Sequence, residues 1–410
     1  MDKIRADIKT PTGKSSATTV IKYYYIIHHL NYYHALRRDT YMKGVPMNST
    51  LLTELFSTSS IVSEVMRYLI SNKFIRKVKT HQPGEKSSLY QLHENLLCEP
   101  VYQIDFDASD SALIRRLEFR ANDIKYFHKQ LQILKDKIRV NQFGIDYLKS
   151  KYGELPISLS QIAMDPVDVG LFHIYYGLFS ATRPDLESRV YTNMTNLPRI
   201  HRPFIDFDGQ PMMMTDISNS QILLTVPLLH NCWSKKSGRG LFGLPQDVTD
   251  FRLLAESGQF YEHMASQLNL SFKTESDRSE FKKRVFAEIW FSKNSNRQTK
   301  IKSVFMTTFP TVYEIIWQLK RSDPDKDHSQ FAIALQRFEA KLIVDNVWMK
   351  MVKMKKCVLT LHDAIICTNR EDLKLAEELI RESCLKHRIN PSFKNDDYAK
   401  IIVQSLTNSA

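Results

Sequence analysis

Apolar residues fall along this chain at two periods, and the changes of period mark its organisation. Two short runs, Pro211-Met212-Met213-Met214 and Val358-Leu359-Thr360-Leu361, are too brief for helices and read as buried strands. Each is followed within two residues by an aspartate, Asp216 and Asp363. Between them Arg278, Lys282, Phe286 and Trp290 stand four residues apart, which puts two cations and two aromatics on one face of a helix. Residues 248–269, 310–319, 328–351 and 371–387 also carry helical spacing, and residues 356–368 read as a hairpin around Asp363. A strand, helices, a hairpin and a closing helix predict an α+β unit.

The N-terminal part is patterned differently. Residues 20–38 predict an aromatic helix, residues 51–57 a short one, and Ile61, Val65, Tyr68 and Leu69 a third, with Ser59 and Ser60 placed to cap it. Residues 74–79 and 88–92 then read as strands joined by His81-Gln82-Pro83-Gly84-Glu85-Lys86, a turn built on Pro-Gly. Helices followed by a basic hairpin resemble a winged helix-turn-helix, a module that docks on duplex nucleic acid or on another protein. On a duplex, the third helix would enter a groove while Lys77, Lys79 and Lys86 meet phosphates. From 111 to 149 the pattern predicts one long helix, with Leu117, Ile124, Leu131 and Ile138 at seven-residue spacing. Arg115, Arg116, Arg120, Lys125 and Lys129 give that helix a basic face.

Composition narrows the partners. A chain of 410 residues with 43% hydrophobic and 25% charged content has enough apolar side chain for two or three cored units. A net charge of +12 favours a polyanionic partner, because neutralised phosphates release counterions. The five cysteines, Cys98, Cys232, Cys357, Cys367 and Cys384, form no Cys-x-x-Cys pair, which sets aside a disulfide framework and a structural zinc site. Residues 1–16 are polar, and no apolar run approaches the length of a transmembrane helix, so no membrane partner and a cytoplasmic location are expected.

Two strand-borne carboxylates and a helix with two cations match what phosphoryl transfer to or from a triphosphate requires. The detailed strings go further. Asp216-Ile217-Ser218-Asn219-Ser220-Gln221 has the form D-x-S-x-x-[EQ], and His362-Asp363 forms an H-D pair. Arg278 to Trp290 follows R-x3-K-x3-F-x3-Y with Trp in the Tyr place, while Arg189 through Asn196-Leu197 keeps the spacing of R-L-S-S-x-x-P-N-L. Gln336 precedes the apolar run Leu342-Ile343-Val344. In this order, residues 187–394 resemble the palm and fingers of family A DNA polymerases and, more loosely, the single-subunit RNA polymerases.

The resemblance implies a right-hand palm and fingers over residues 186–410. It places residues 101–185 at the thumb's position in the chain, after a winged unit at 19–100 and a flexible basic arm at 1–18. It implies two Mg²⁺ ions held by Asp216, Asp363 and the carbonyl of Ile217. Arg278 and Lys282 would hold the incoming phosphates, with Phe286 under base or sugar and Gln221 and Trp290 at the sugar. Arg189, Asn196, Gln336 and His362 would meet the primer and template. The partners implied are primer–template DNA and nucleoside triphosphates. The activity implied is template-directed DNA synthesis without a proofreading exonuclease, of the kind a phage or mobile element encodes. An RNA-synthesising or primase-like polymerase and an inactive DNA-binding regulator stay open beside it.

Four departures bear on the sugar and on fidelity. Gln221 stands where this family has the glutamate that excludes a ribose 2′-hydroxyl, and Trp290 where it has the tyrosine bonded to that glutamate. Phe291 replaces a glycine and Ala364 a glutamate. An indole N–H donating to the Gln221 amide oxygen, and a weakened preference for deoxynucleotides, are the expectations that follow.

Overall fold

The computed structural model describes residues 4, 7, 17–36, 43–80, 87–97, 113, 116, 127–156, 167–185, 187–238, 243–293, 298–321 and 329–401. Chain contacts divide it into two compact units, Met1–Thr182 with Tyr191–Gln210, and Arg183–Val190 with Pro211–Ala410. Among the described residues, no helix is long and apolar enough to cross a membrane.

The first unit opens with helix α1 (Ala17–Leu36), strand β1 (Val45–Pro46), helices α2 (Ser49–Phe56) and α3 (Ser59–Ser71), and strands β2 (Ile75–Lys79) and β3 (Leu89–Leu92). The strands form one antiparallel sheet in the order β1-β3-β2. The two-residue β1 escapes any periodicity argument. Side-chain oxygens start the helices: Asn48 accepts from the Leu51 amide (3.1 Å) and Thr58 from the Ile61 amide (3.3 Å), so Thr58 takes the capping place expected of Ser59 or Ser60. α3 buries Val62, Val65, Met66 and Leu69, one stripe of an amphipathic helix. Strand β2 departs from the alternation of a half-buried strand: Ile75 is buried, whereas Arg76, Lys77, Val78 and Lys79 are all exposed. Lys86 lies outside the described residues.

The single long helix expected over 111–149 does not form as such. Helix α4 (Phe127–Lys137) stops at strand β4 (Ile138–Val140), and α5 (Gln142–Tyr152) follows. The reason is tertiary: Ile138-Arg139-Val140 is claimed by antiparallel pairing with β5 (Ile205–Phe207), and Asn141 caps α5 by accepting from the Gly144 amide at 3.1 Å. A Cβ at Gly144 would stand 2.6 Å from Val140 Cγ1 and 2.8 Å from Phe204 Cβ, so the turn requires glycine. Of the expected basic face, Arg115, Arg120 and Lys125 lie outside the described residues, and Arg116 donates to the Leu55 carbonyl (2.8 Å) and Ser57 Oγ (2.6 Å) at the end of α2. Buried Asp168, ahead of helix α6 (Val169–Tyr175), is held by Tyr152 Oη (2.7 Å), Lys151 Nζ (2.8 Å) and His201 Nε2 (2.9 Å).

Buried His173 and half-buried His29 are expected to make this unit acid-sensitive. His173 stacks on Tyr32 (ring centroids 6.0 Å apart), and burial pushes its imidazole down to about 4. His29 is pushed to about 4 by burial and then by the charge of His28. A depressed histidine contributes stability that is complete above its unfolded value near 6.5 and is lost as pH falls through the folded value. The melting temperature is therefore expected to drop between pH 6.5 and 4, and His173→Phe is expected to flatten the drop. An equal drop in both proteins would show that His173 is not responsible.

The second unit is built on a four-stranded antiparallel sheet of β6 (Met213–Ile217), β7 (Leu359–Leu361), β8 (Ala364–Cys367) and β9 (Phe393–Asp397), in the order β7-β8-β6-β9. Helix α7 (Ser220–Ser237) leaves β6 through Asn219, whose backbone is left-handed (φ +54°) and whose amide donates to the Gly258 carbonyl at 2.7 Å. Helices α8 (Gln246–Ser257), α9 (Phe260–Gln267), α10 (Glu275–Val285), α11 (Lys300–Thr308) and α12 (Pro310–Lys320) follow, and their core is a cluster of Phe251, Phe260, Trp290, Phe305 and Phe309. Helix α13 (Ser329–Ala340) runs on as a π-helical segment (Lys341–Trp348), and α14 (Arg370–Leu385) packs on that segment and on the sheet.

Candidate active site

The sheet register sets the two carboxylates side by side. Asp216 pairs with Ala364 across β6 and β8, and Asp363 is the residue before Ala364, in the two-residue turn from β7. Its neighbour His362 has a left-handed backbone (φ +56°), a conformation histidine tolerates better than most residues and one found often at functional turns. The carboxyls of Asp216 and Asp363 lie within hydrogen-bonding reach of each other. Burial, then the charge of Asp363, pushes Asp216 up to about 8, with Lys282 pulling the other way. Asp216 Oδ1 is buried and accepts no hydrogen bond.

Lys282 offsets only part of the pair's charge, and a divalent cation would supply the rest. Among the described residues, no group of three or more His, Cys, Asp or Glu side chains could hold a metal ion. Asp216 and Asp363 are two carboxylates of the kind through which Mg²⁺ binds, its other positions going to water and phosphate.

Helix α10 delivers the cations. Its sequence starts it firmly: Thr274 and Asp277 form a capping box, Glu275 and Asp277 occupy its first turn, and Lys282, Lys283 and Arg284 its last. Lys282 Nζ lies 5.8 Å and the Arg278 guanidinium 5.5 Å from the ring centroid of Tyr261, which is fully buried with an unpartnered hydroxyl. Arg278 Nε also donates to Glu262 Oε1 at 2.5 Å. Phe286 is half-buried and stacked on Phe291 at 5.4 Å.

The four-residue face ends at Phe286. The segment Phe286–Trp290 is π-helical, with the Phe291 amide donating to the Phe286 carbonyl at 2.8 Å, and this wider turn carries Trp290 off the face. Trp290 is 0% exposed and its indole N–H donates to Thr225 Oγ1 at 3.1 Å, one turn along α7 from Gln221. The expected indole-to-amide bond is not formed. Buried Lys320 closes the far end of the segment by donating to the carbonyls of Ile289 and Ser292.

Gln221 has another partner. Its Nε2 donates to Glu339 Oε2 at 2.7 Å, and Arg189 Nη2 donates to the same oxygen at 2.6 Å. Glu339 is 1% exposed, and burial, then the charge of Asp363, pushes it up to about 7. It was not among the sequence candidates, yet it follows Phe331 and Leu335 at four-residue spacing, a carboxylate on an apolar stripe. Gln336 is half-buried on the same helix, beside that stripe. Asn196, Lys77 and Lys79 belong to the first unit, and all three are exposed.

No protein-family model matches this chain, and no curated protein matches it. Among solved structures it is similar to the POL domain of Pol1 from M. smegmatis in complex with DNA primer-template and dNTP. The TM-score is 0.34 and the identity 12%, over 63% of this chain and 56% of that one. This chain thus spans little more than half of that domain.

Proposed function

We propose that the chain carries out template-directed nucleotidyl transfer from nucleoside triphosphates onto a primer paired with a DNA template, with a palm in its sheet and fingers in helices α9 and α10. The observation that carries the reading is the register that brings Asp216 and Asp363 into contact, with Lys282 close enough for its charge to act on Asp216. Two Mg²⁺ ions held by Asp216, Asp363 and the Ile217 carbonyl would polarise the primer hydroxyl and neutralise the phosphates. Lys282 and Arg278 orient the triphosphate and offset the charge that grows on the leaving pyrophosphate. Phe286 offers a half-buried face to the base, and His362 positions the primer end. Extension of a DNA primer that requires both template and Mg²⁺ tests the reading. A protein that binds DNA and extends nothing would instead be a regulator.

We further read residues 19–100, within the first unit, as a winged helix. Its order of helix, strand, two helices and two strands supports this, as does the exposed basic strand β2. With α3 in a groove, Lys77 and Lys79 contact phosphates. Replacing both by Ala is expected to reduce the slope of log K against log salt by about 1.8, two contacts at roughly 0.9 each. An unchanged slope would make the unit a protein-docking module.

A further inference from the structure

Tyr261, in the first turn of helix α9, is 0% exposed, and its hydroxyl has no hydrogen-bond partner. A buried tyrosine ordinarily finds a partner for its O–H, and leaving that group dry costs free energy. The hydroxyl thus adds nothing to the fold, and what the residue offers is its ring. Phe260 and Phe286 meet that ring at steep angles, with centroids 5.5 and 6.3 Å away, and so hold it in one orientation. Over the ring stand the Arg278 guanidinium at 5.5 Å and the Lys282 ammonium at 5.8 Å, both within the range at which an aromatic face attracts a cation.

The arrangement answers a difficulty that α10 creates. Two cations four residues apart on one helix face repel each other, and a lysine ammonium is a strongly hydrated charge on a flexible stem. Left to themselves they would spread into water, and a triphosphate would have to gather them at a cost in entropy. We infer that Tyr261 is a positioning residue for nucleotidyl transfer: its buried ring fixes the Arg278 and Lys282 charges at the spacing that receives the triphosphate, without touching the nucleotide. The inference rests on the nucleotidyl-transfer reading. Phenol and benzyl rings both present a negative face, so the ring is required in this account and the hydroxyl is dispensable.

The test is primer extension by the full chain in Mg²⁺, with tyrosine, phenylalanine or pentafluorophenylalanine at position 261. The fluorinated ring keeps nearly the shape of phenylalanine but draws the negative charge from its face. Tyr261→Phe is expected to keep kcat/KM within about twofold and to melt no lower than wild type, since it loses a group that had no partner. The fluorinated ring is expected to lower kcat/KM by about tenfold, the effect of two cation–π contacts together, and to weaken pyrophosphate inhibition by a similar factor. In a chain carrying Lys282→Ala it should cost only about threefold, because Arg278 alone remains over the ring. A merely structural role would give the same loss in both backgrounds. A loss with phenylalanine equal to that with the fluorinated ring, no loss with either, or equal losses with and without Lys282 would overturn the inference and leave nucleotidyl transfer standing. Absence of Mg²⁺-dependent extension by the wild-type chain would overturn both.

Discussion

Asp216→Asn and Asp363→Asn are each expected to lower Mg²⁺-dependent incorporation by on the order of 10³-fold or more, with primer–template affinity held within about twofold. Asparagine preserves the size of the side chain and removes the charge that would hold a cation, so the loss belongs to chemistry and not to assembly of the sheet. The same change at Asp216 should make the metal-free protein more stable. Its carboxyl is disfavoured by burial and by Asp363, and its Oδ1 lacks a donor. Relief of even about 1 kcal/mol raises the melting temperature of a unit this size by roughly 2–4 °C. A variant that kept most of its rate, or lost it together with stability, would remove that aspartate from the proposed ligand set.

Lys282→Ala is expected to reduce kcat/KM by about 10²-fold, and Arg278→Ala by only about tenfold. The asymmetry comes from what each cation already touches. Lys282 acts on Asp216 and lies over the Tyr261 ring, whereas Arg278 gives its Nε to Glu262. A triphosphate gains less from a guanidinium already paired with a carboxylate than from an ammonium facing the carboxylate pair. Single-turnover incorporation and pyrophosphate inhibition of both variants would measure the ranking. A larger loss for Arg278→Ala would show that Glu262 leaves it when nucleotide binds.

Short buried runs ending near aspartates made the sheet legible from sequence, because a strand of three to five apolar residues has few other uses. The four-residue spacing from Arg278 to Phe286 was legible for the same reason, as a local signal of a local structure. What escaped depended on distant partners. Ile138 fits a heptad as well as a strand, and pairing with Phe207 decides between them. The π-turn at Phe286–Trp290 is a hydrogen-bonding choice that no residue type announces, so Trp290 was placed on the nucleotide face when it belongs to the aromatic core. Glu339 was overlooked because a glutamate within an amphipathic helix ordinarily reads as solvent-facing. Its value is visible only once Arg189 and Gln221, far away in the chain, close on it.

The strand order of the sheet also dictates when the two aspartates can meet. β6 lies between β8 and β9, so the strand bearing Asp216 acquires both neighbours only from chain at least 140 residues beyond it. Pairings of such long sequence separation close large loops and form slowly compared with helices. Helices α7 to α12 can collapse around their aromatic cluster while β6 still has an open edge on each side. During synthesis the carboxylates stay apart, and the electrostatic penalty of joining them is deferred until β8 is available to pair with β6. The contact is thus made late, against helices already able to pack, and β9 closes the remaining edge of β6 afterwards.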